Sequence, residues 1–176
     1  MTCALVLAGI LWTARAQADD DYKVATVIKD EVLQQAMQDA PADTVSDQPI
    51  RHVVSAEGNL GIGVVHRPLI RKGGPIAAIQ HHNQSEVYRV MAGSGTLVTS
   101  ASMIENRALD GDGYVVQNLT GPSDVGTIDS PANSQLIQAG DIVIIPAGVA
   151  HGFSEITEVI TYMVVRVDPD RLVALK

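Results

Sequence analysis

Two stretches hold the residues whose types and spacing could do chemistry. The first is Gln80-His81-His82-Asn83-Gln84-Ser85-Glu86-Val87-Tyr88, with two adjacent imidazoles and a carboxylate between the apolar run Ile76 to Ile79 and an alternating run that ends in Gly93-Ser94-Gly95. The second runs from Gly140 through Pro146 and Gly148 to His151, and places a further imidazole at the end of another apolar run. Neutral imidazole and carboxylate are ligands for divalent Fe, Mn, Ni or Zn, and an incomplete protein shell leaves positions for substrate, water or dioxygen. Tyr88 lies two residues beyond Glu86, on the same face of a strand. A phenol there could act as an acid, orient a substrate, or simply fill the interior.

Alternation along a strand decides which histidine can join Glu86. On an unbroken strand Gln80, His82 and Glu86 share a face and His81 points away. A bulge or bend around Asn83-Gln84 brings His81 to Glu86 instead. The first arrangement gives Gln80, His82, Glu86 and His151; the second gives His81, Glu86 and His151. Regular pairing favours His82, and the backbone between Gln80 and Glu86 decides the matter. His52 and His66 stand in no such pattern and read as strand histidines, although His66 shares a face with Val64 and could reach an interior.

The elements that must position these groups are mostly strands. Short runs, most of them rich in β-branched residues, occur at Ile50–Val54, Gly61–His66, Pro75–Ile79, Glu86–Met91, Gly95–Thr99, Tyr114–Asn118, Gln135–Gln138, Asp141–Ile145, Gly152–Glu155 and Val159–Val167. Turn signals such as Gly73-Gly74-Pro75 and Asp110-Gly111-Asp112-Gly113 separate them. This spacing predicts an all-β barrel or sandwich, with no helical pattern between strands to suggest a parallel α/β sheet. Ahead of it, Val24–Ile28 reads as a short strand. From Asp30, a plausible N-cap, Val32, Leu33, Ala36, Met37 and Ala40 mark one face of a helix that Pro41 stops. Residues 100–134 read as a polar excursion holding at most one extra hairpin, either a surface insertion or a lid.

Composition narrows the partners. The 176 residues include 12 Lys plus Arg against 20 Asp plus Glu, a net charge of −8, and the cations are scattered, which excludes nucleic acid and anionic membrane surfaces. Aromatic residues are only 3%, so the core rests on Val, Ile, Leu and Ala. Cys3 to Trp12 is an apolar run too short to span a bilayer, and Ala16-Gln17-Ala18 follows as a small-x-small cleavage site. Residues 1–18 are therefore expected to be a signal peptide, 19–49 an arm with the helix, and 50–176 the barrel. Cleavage removes the single cysteine, so thiolate ligation and disulfides are excluded. The mature protein is expected in the periplasm or outside the cell, with no membrane attachment.

On these residues the sequence resembles the cupin superfamily. Glu86 and Gly93 match its first motif together with one of His81 or His82 and one of Gly73 or Gly74. Gly140, Pro146, Gly148 and His151 match its second, with Glu155 where Asn is usual. The resemblance covers Ile50 to about Val167 and implies a double-stranded β-helix, or jelly-roll, barrel. It further implies a divalent transition metal (Fe, Mn, Ni or Zn) held by His81 or His82 with Glu86 and His151, a small-molecule ligand or substrate, and a homodimer. Metal-dependent oxygenase, isomerase or lyase chemistry is the expected activity, with non-catalytic ligand binding as the alternative. Such proteins usually supply three His and one Glu, and the adjacent His pair departs from that pattern.

Overall fold

The computed structural model describes residues 24–174. The expected signal peptide, with Cys3, lies outside the described residues. Among the described residues one α-helix, α1 (Asp30–Gln38), precedes nine strands: β1 (Ser46–Ser55), β2 (Gly58–Arg67), β3 (Ile76–His81), β4 (Ser85–Ser100), β5 (Ile104–Ala108), β6 (Ser123–Ile128), β7 (Asn133–Gln138), β8 (Ile142–Ile145) and β9 (Ala150–Asp168). Every ladder is antiparallel. The order β1-β2-β9-β3-β6-β5 forms one path, and β4 pairs with β9, β7 and β8.

Two long strands make the barrel. β9 runs against β4 from Ser85↔Val167 to Ser100↔Ala150, while its two halves pair on the other side with β2 and β3. Register shifts between Val90 and Leu97 bend β4. The bend needs Gly93, which has φ of +74°, and a Cβ there would run into the Val159 carbonyl oxygen. Gly152 likewise lets β9 press against β3, because its Cβ would meet the Ala77 carbonyl oxygen.

Inward-facing residues of these strands form one core of Val65, Tyr88, Val90, Leu97, Ile137, Ile145, Phe153, Ile156, Ile160, Tyr162 and Val164. A smaller cluster of Ala78, Val98, Ile128 and Ala150 lies under β3. Full burial of each large aliphatic side chain stabilises the fold by about 1.5–3 kcal/mol. Outside the barrel α1 buries Ala36, whose carbonyl accepts a hydrogen bond from Gln48 Nε2 at 2.7 Å.

The structure departs from the expected elements in several places. Val24–Ile28 forms no strand, and Asp30 is the first helical residue rather than the cap, a place taken by Lys29. Glu86–Met91 and Gly95–Thr99 are one bent strand, as are Gly152–Glu155 and Val159–Val167. Tyr114–Asn118 is helical: Tyr114 and Val115 lead into a single π-helical turn, Val116–Thr120, that buries Val116 and Leu119 three residues apart. The polar excursion contains β5 and β6, a pair joined across that turn, and β6 lies in the sheet beside β3.

Candidate metal centre

β3 ends at His81, and His82-Asn83 form a bend before β4 begins at Ser85. The strand is thus broken between Gln80 and Glu86, and parity does not carry across the break. His81 turns inward and is 3% exposed, with Glu86 at 1% and His151 at 2%. His82 faces out, its side chain 44% exposed and its Nε2 3.2 Å from Asp124 Oδ1. Gln80 is no ligand either: it alternates with inward His81 on β3, and its Nε2 donates to the Gly148 carbonyl at 2.6 Å. Of the expected set, the fold brings together His81, Glu86, His151 and Tyr88, and leaves His82 outside.

The second stretch is fastened to the first by its backbone. Gly148 N–H donates to the His81 carbonyl at 2.8 Å, and Ala147 N–H donates to Ser85 Oγ at 3.0 Å. His151 then lies directly across from Ile79 in the β3–β9 ladder, on the face that also carries His81. His81 Nε2 and His151 Nε2 each lie 3.4 Å from Glu86 Oε2. All three ligand atoms fall within 4.8 Å of one another.

Hydrogen bonds on the far side of each ring set its tautomer. His151 Nδ1 is 3.0 Å from the Val149 carbonyl, which can only accept, so Nδ1 carries the hydrogen. Ser123 Oγ is 3.0 Å from the Gly121 carbonyl and donates to it, so it accepts from His81 Nδ1 at 2.9 Å. In the neutral rings both Nε2 atoms therefore aim lone pairs toward Glu86 Oε2. Three acceptors facing one another fit a cation. Ligands about 2.1 Å from a common ion and roughly 90–110° apart stand about 3.0–3.4 Å from each other.

Glu86 is held from behind. Arg166, directly opposite it in the β4–β9 ladder, donates Nε to Glu86 Oε1 at 2.8 Å. The remaining edge of that guanidinium grips Asp47, with Nη1 to Oδ1 at 3.1 Å and Nη2 to Oδ2 at 2.6 Å. Tyr88 donates its hydroxyl to Glu86 Oε2 at 2.8 Å. Burial alone would raise the Glu86 pKa, but Arg166 and the two histidines outweigh it and hold the carboxyl well below its usual range. Burial lowers the pKa of His81 despite Glu86, and raises that of Tyr88 well above its usual value with help from the same carboxylate. For Arg166, burial is outweighed by Asp47 and Glu86, and the guanidinium stays charged.

The space among these groups is a cavity of about 50 Å³ lined by Asp47, Val65, Arg67, Ile79, Thr120 and Tyr162 besides the residues above. Sequence reasoning missed Ser123 and Asp47 because only tertiary pairing puts β6 beside β3 and β1 beside β2. Arg166 stands in no motif, and only its place opposite Glu86 in the β4–β9 ladder brings it to the site. His66 does not enter the cavity: its Nδ1 pairs with Thr161 Oγ1 at 3.1 Å.

No family model matches the sequence, and no curated protein is similar to it. Similar solved structures include a Bacillus halodurans protein with a TM-score of 0.48 and 11% identity, covering 87% of this chain and 93% of that one. An RmlC-like cupin family protein with a double-stranded beta-helix fold from Methanocaldococcus jannaschii gives 0.40 and 14%, covering 73% and 84%. A Lactobacillus farciminis oxalate decarboxylase in complex with formate gives 0.40 and 17%, covering 74% of this chain and 30% of that one. The fold class is all-β, an antiparallel barrel with one short α-helix among the described residues, and the strand pairing carries that assignment; the similar structures include cupin and double-stranded β-helix proteins.

Proposed function

We propose that this protein binds one divalent transition metal, Fe, Mn, Ni or Zn, through His81 Nε2, Glu86 Oε2 and His151 Nε2, and uses it in oxygenase, isomerase or lyase chemistry on a small molecule. The observation that carries the reading is the convergence of three lone-pair acceptors in one buried cavity. When bound, such an ion supplies a Lewis acid with open positions.

The protein's own residues prepare that site. Arg166 occupies Glu86 Oε1 and leaves Oε2 facing the histidines. Ser123 and the Val149 carbonyl fix both imidazoles in the tautomer that presents Nε2, the role that outer partners of metal-ligating histidines commonly play. Tyr88 keeps its proton and directs it at Glu86 Oε2. Val65 and Tyr162, both part of the core, form the less polar side of the cavity wall. The cavity has room for an ion and a water or two, so an organic substrate has to approach from the barrel mouth.

One observation favours a metal-free pocket that binds a small ligand: both Glu86 oxygens already accept hydrogen bonds, from Arg166 and from Tyr88. Elemental analysis after exposure to each metal separates the two readings. Uptake of one ion per chain supports metal binding; no stoichiometric uptake of any of the four ends it. A turnover screen with Glu86→Gln and His151→Ala then tests catalysis, and activity equal to wild type removes these residues from the mechanism. The proposal includes export and pairing of two copies, supported by the apolar run Cys3 to Trp12 and by exposed Leu136, Ile142 and Ile144 on the sheet. N-terminal sequencing of the mature protein and sedimentation equilibrium check both.

A further inference from the structure

Outside the buried cavity lies a cleft of about 400 Å³, lined by Arg67, Ala77, Ile79, Glu105, Arg107, Val125, Thr127 and His151 among others. Its position follows from the ladder between β3 and β6. Ala77 faces Thr127, Ile79 faces Val125 and His81 faces Ser123, so all six side chains share the face that carries the metal-site histidine. Arg67, Ile79 and His151 line both spaces. The cleft is the mouth of the barrel.

Arg67 is half-buried on the wall between the two spaces. Its Nε donates to Tyr162 Oη at 2.9 Å, and its guanidinium lies over the Phe153 ring, 5.4 Å from the centroid. Those contacts fix one edge and one face of the group. Nη1 and Nη2 make no hydrogen bond among the described residues. A guanidinium oriented in this way presents its free fork to a planar acid, the geometry that suits bidentate carboxylate recognition. Arg107 adds a second cation at the rim, against the single acid Glu105. These two residues are placed there by a bulge in β5 between Ile104 and Arg107, where Glu105 has φ of +53°. In a chain of net charge −8, a cleft with two arginines and one acid is a local reversal of sign. Its floor of Ala77, Ile79 and Val125 is apolar.

We infer that the barrel mouth is a subsite for a small carboxylic acid with an apolar body, whose carboxylate pairs with the Nη1 and Nη2 edge of Arg67 while the body lies on Ala77, Ile79 and Val125. The inference names the substrate class for the proposed metal centre and so rests on that reading for its catalytic meaning. Binding of the acid by Arg67 needs no metal.

The test is titration of metal-stripped protein with benzoate, benzamide and inorganic phosphate, followed by calorimetry or ligand-observed NMR. Benzoate is expected to bind at least about tenfold more tightly than benzamide, and Arg67→Met is expected to weaken it by a similar factor. Because Arg67 also supports Tyr162 and Phe153, Ala77→Trp provides a second variant: Ala77 is exposed at the rim, and the indole would block the cleft without disturbing the core. It should abolish benzoate binding with the fold intact by circular dichroism. Equal affinity for benzamide, affinity for phosphate matching that for benzoate, or undiminished benzoate binding in folded Ala77→Trp would overturn the inference. Benzoate binding without metal uptake defeats only the metal reading; metal uptake without benzoate binding defeats only the subsite.

Discussion

Arg166 Nε lies 2.8 Å from Glu86 Oε1, and the two residues stand directly opposite each other on β4 and β9. The same guanidinium holds Asp47 from β1 through two further hydrogen bonds. Three strands are thus tied by one buried cation, and the carboxylate of the site takes its orientation from that tie. A buried charge left without its partner costs far more than the intact pair contributes.

Arg166→Met would strand Glu86 and Asp47 together in the barrel. It is expected to destabilise the protein by about 3–5 kcal/mol. Urea unfolding followed by circular dichroism measures the loss; a change within about 0.5 kcal/mol would show that the pair is not buried as described.

Ser123→Ala removes the acceptor from His81 Nδ1 and leaves the ligands in place. Metal affinity should fall about 10–100-fold, the usual effect of deleting such an outer partner. His82→Ala, which loses only an exposed contact with Asp124, should leave metal affinity unchanged. Competition with a chromophoric chelator reads both. Equal affinities for wild type and Ser123→Ala would remove Ser123 from the account.

Acid should destabilise the metal-free protein in two stages. The folded pKa of His81 lies below the ordinary imidazole value, and that of Glu86 well below the ordinary carboxyl value. In each case the unfolded chain takes up protons first as pH falls, so stability is lost on acidification. The loss begins below about pH 6.5, where an unfolded histidine titrates, and steepens below about 4.3, where an unfolded glutamate does. Thermal melts from pH 8 to 2 check the sign, and Glu86→Gln should reduce the second stage. A midpoint that rises toward pH 5 would contradict it.

The barrel was legible in the sequence because apolar runs and turn residues report strands directly, and because Gly140, Pro146, Gly148 and His151 mark one tight connection. The inward histidine was less legible. Parity assumes a continuous strand, and the break at His82-Asn83 cancels it, so the choice between His81 and His82 depended on a backbone bend with no strong signal of its own. Tyr114-Val115-Val116 misled because three adjacent apolar residues fit a strand as well as a helical turn. β5 and β6 were hidden for the opposite reason, since short strands this polar show little hydrophobic period. The partners Ser123, Asp47 and Arg67 come from β6, β1 and β2, and their shared cavity exists only after those strands have paired.

The central claim is that His81, Glu86 and His151 hold a metal and that His82 does not. Titration of metal-stripped wild type, His81→Ala, His82→Ala and His151→Ala with Zn(II), followed by equilibrium dialysis and elemental analysis, tests it most directly. The account predicts one ion per chain for wild type and His82→Ala, with stoichiometric binding lost in His81→Ala and His151→Ala. No binding by the folded wild type, or binding that survives in His81→Ala and disappears in His82→Ala, would contradict it.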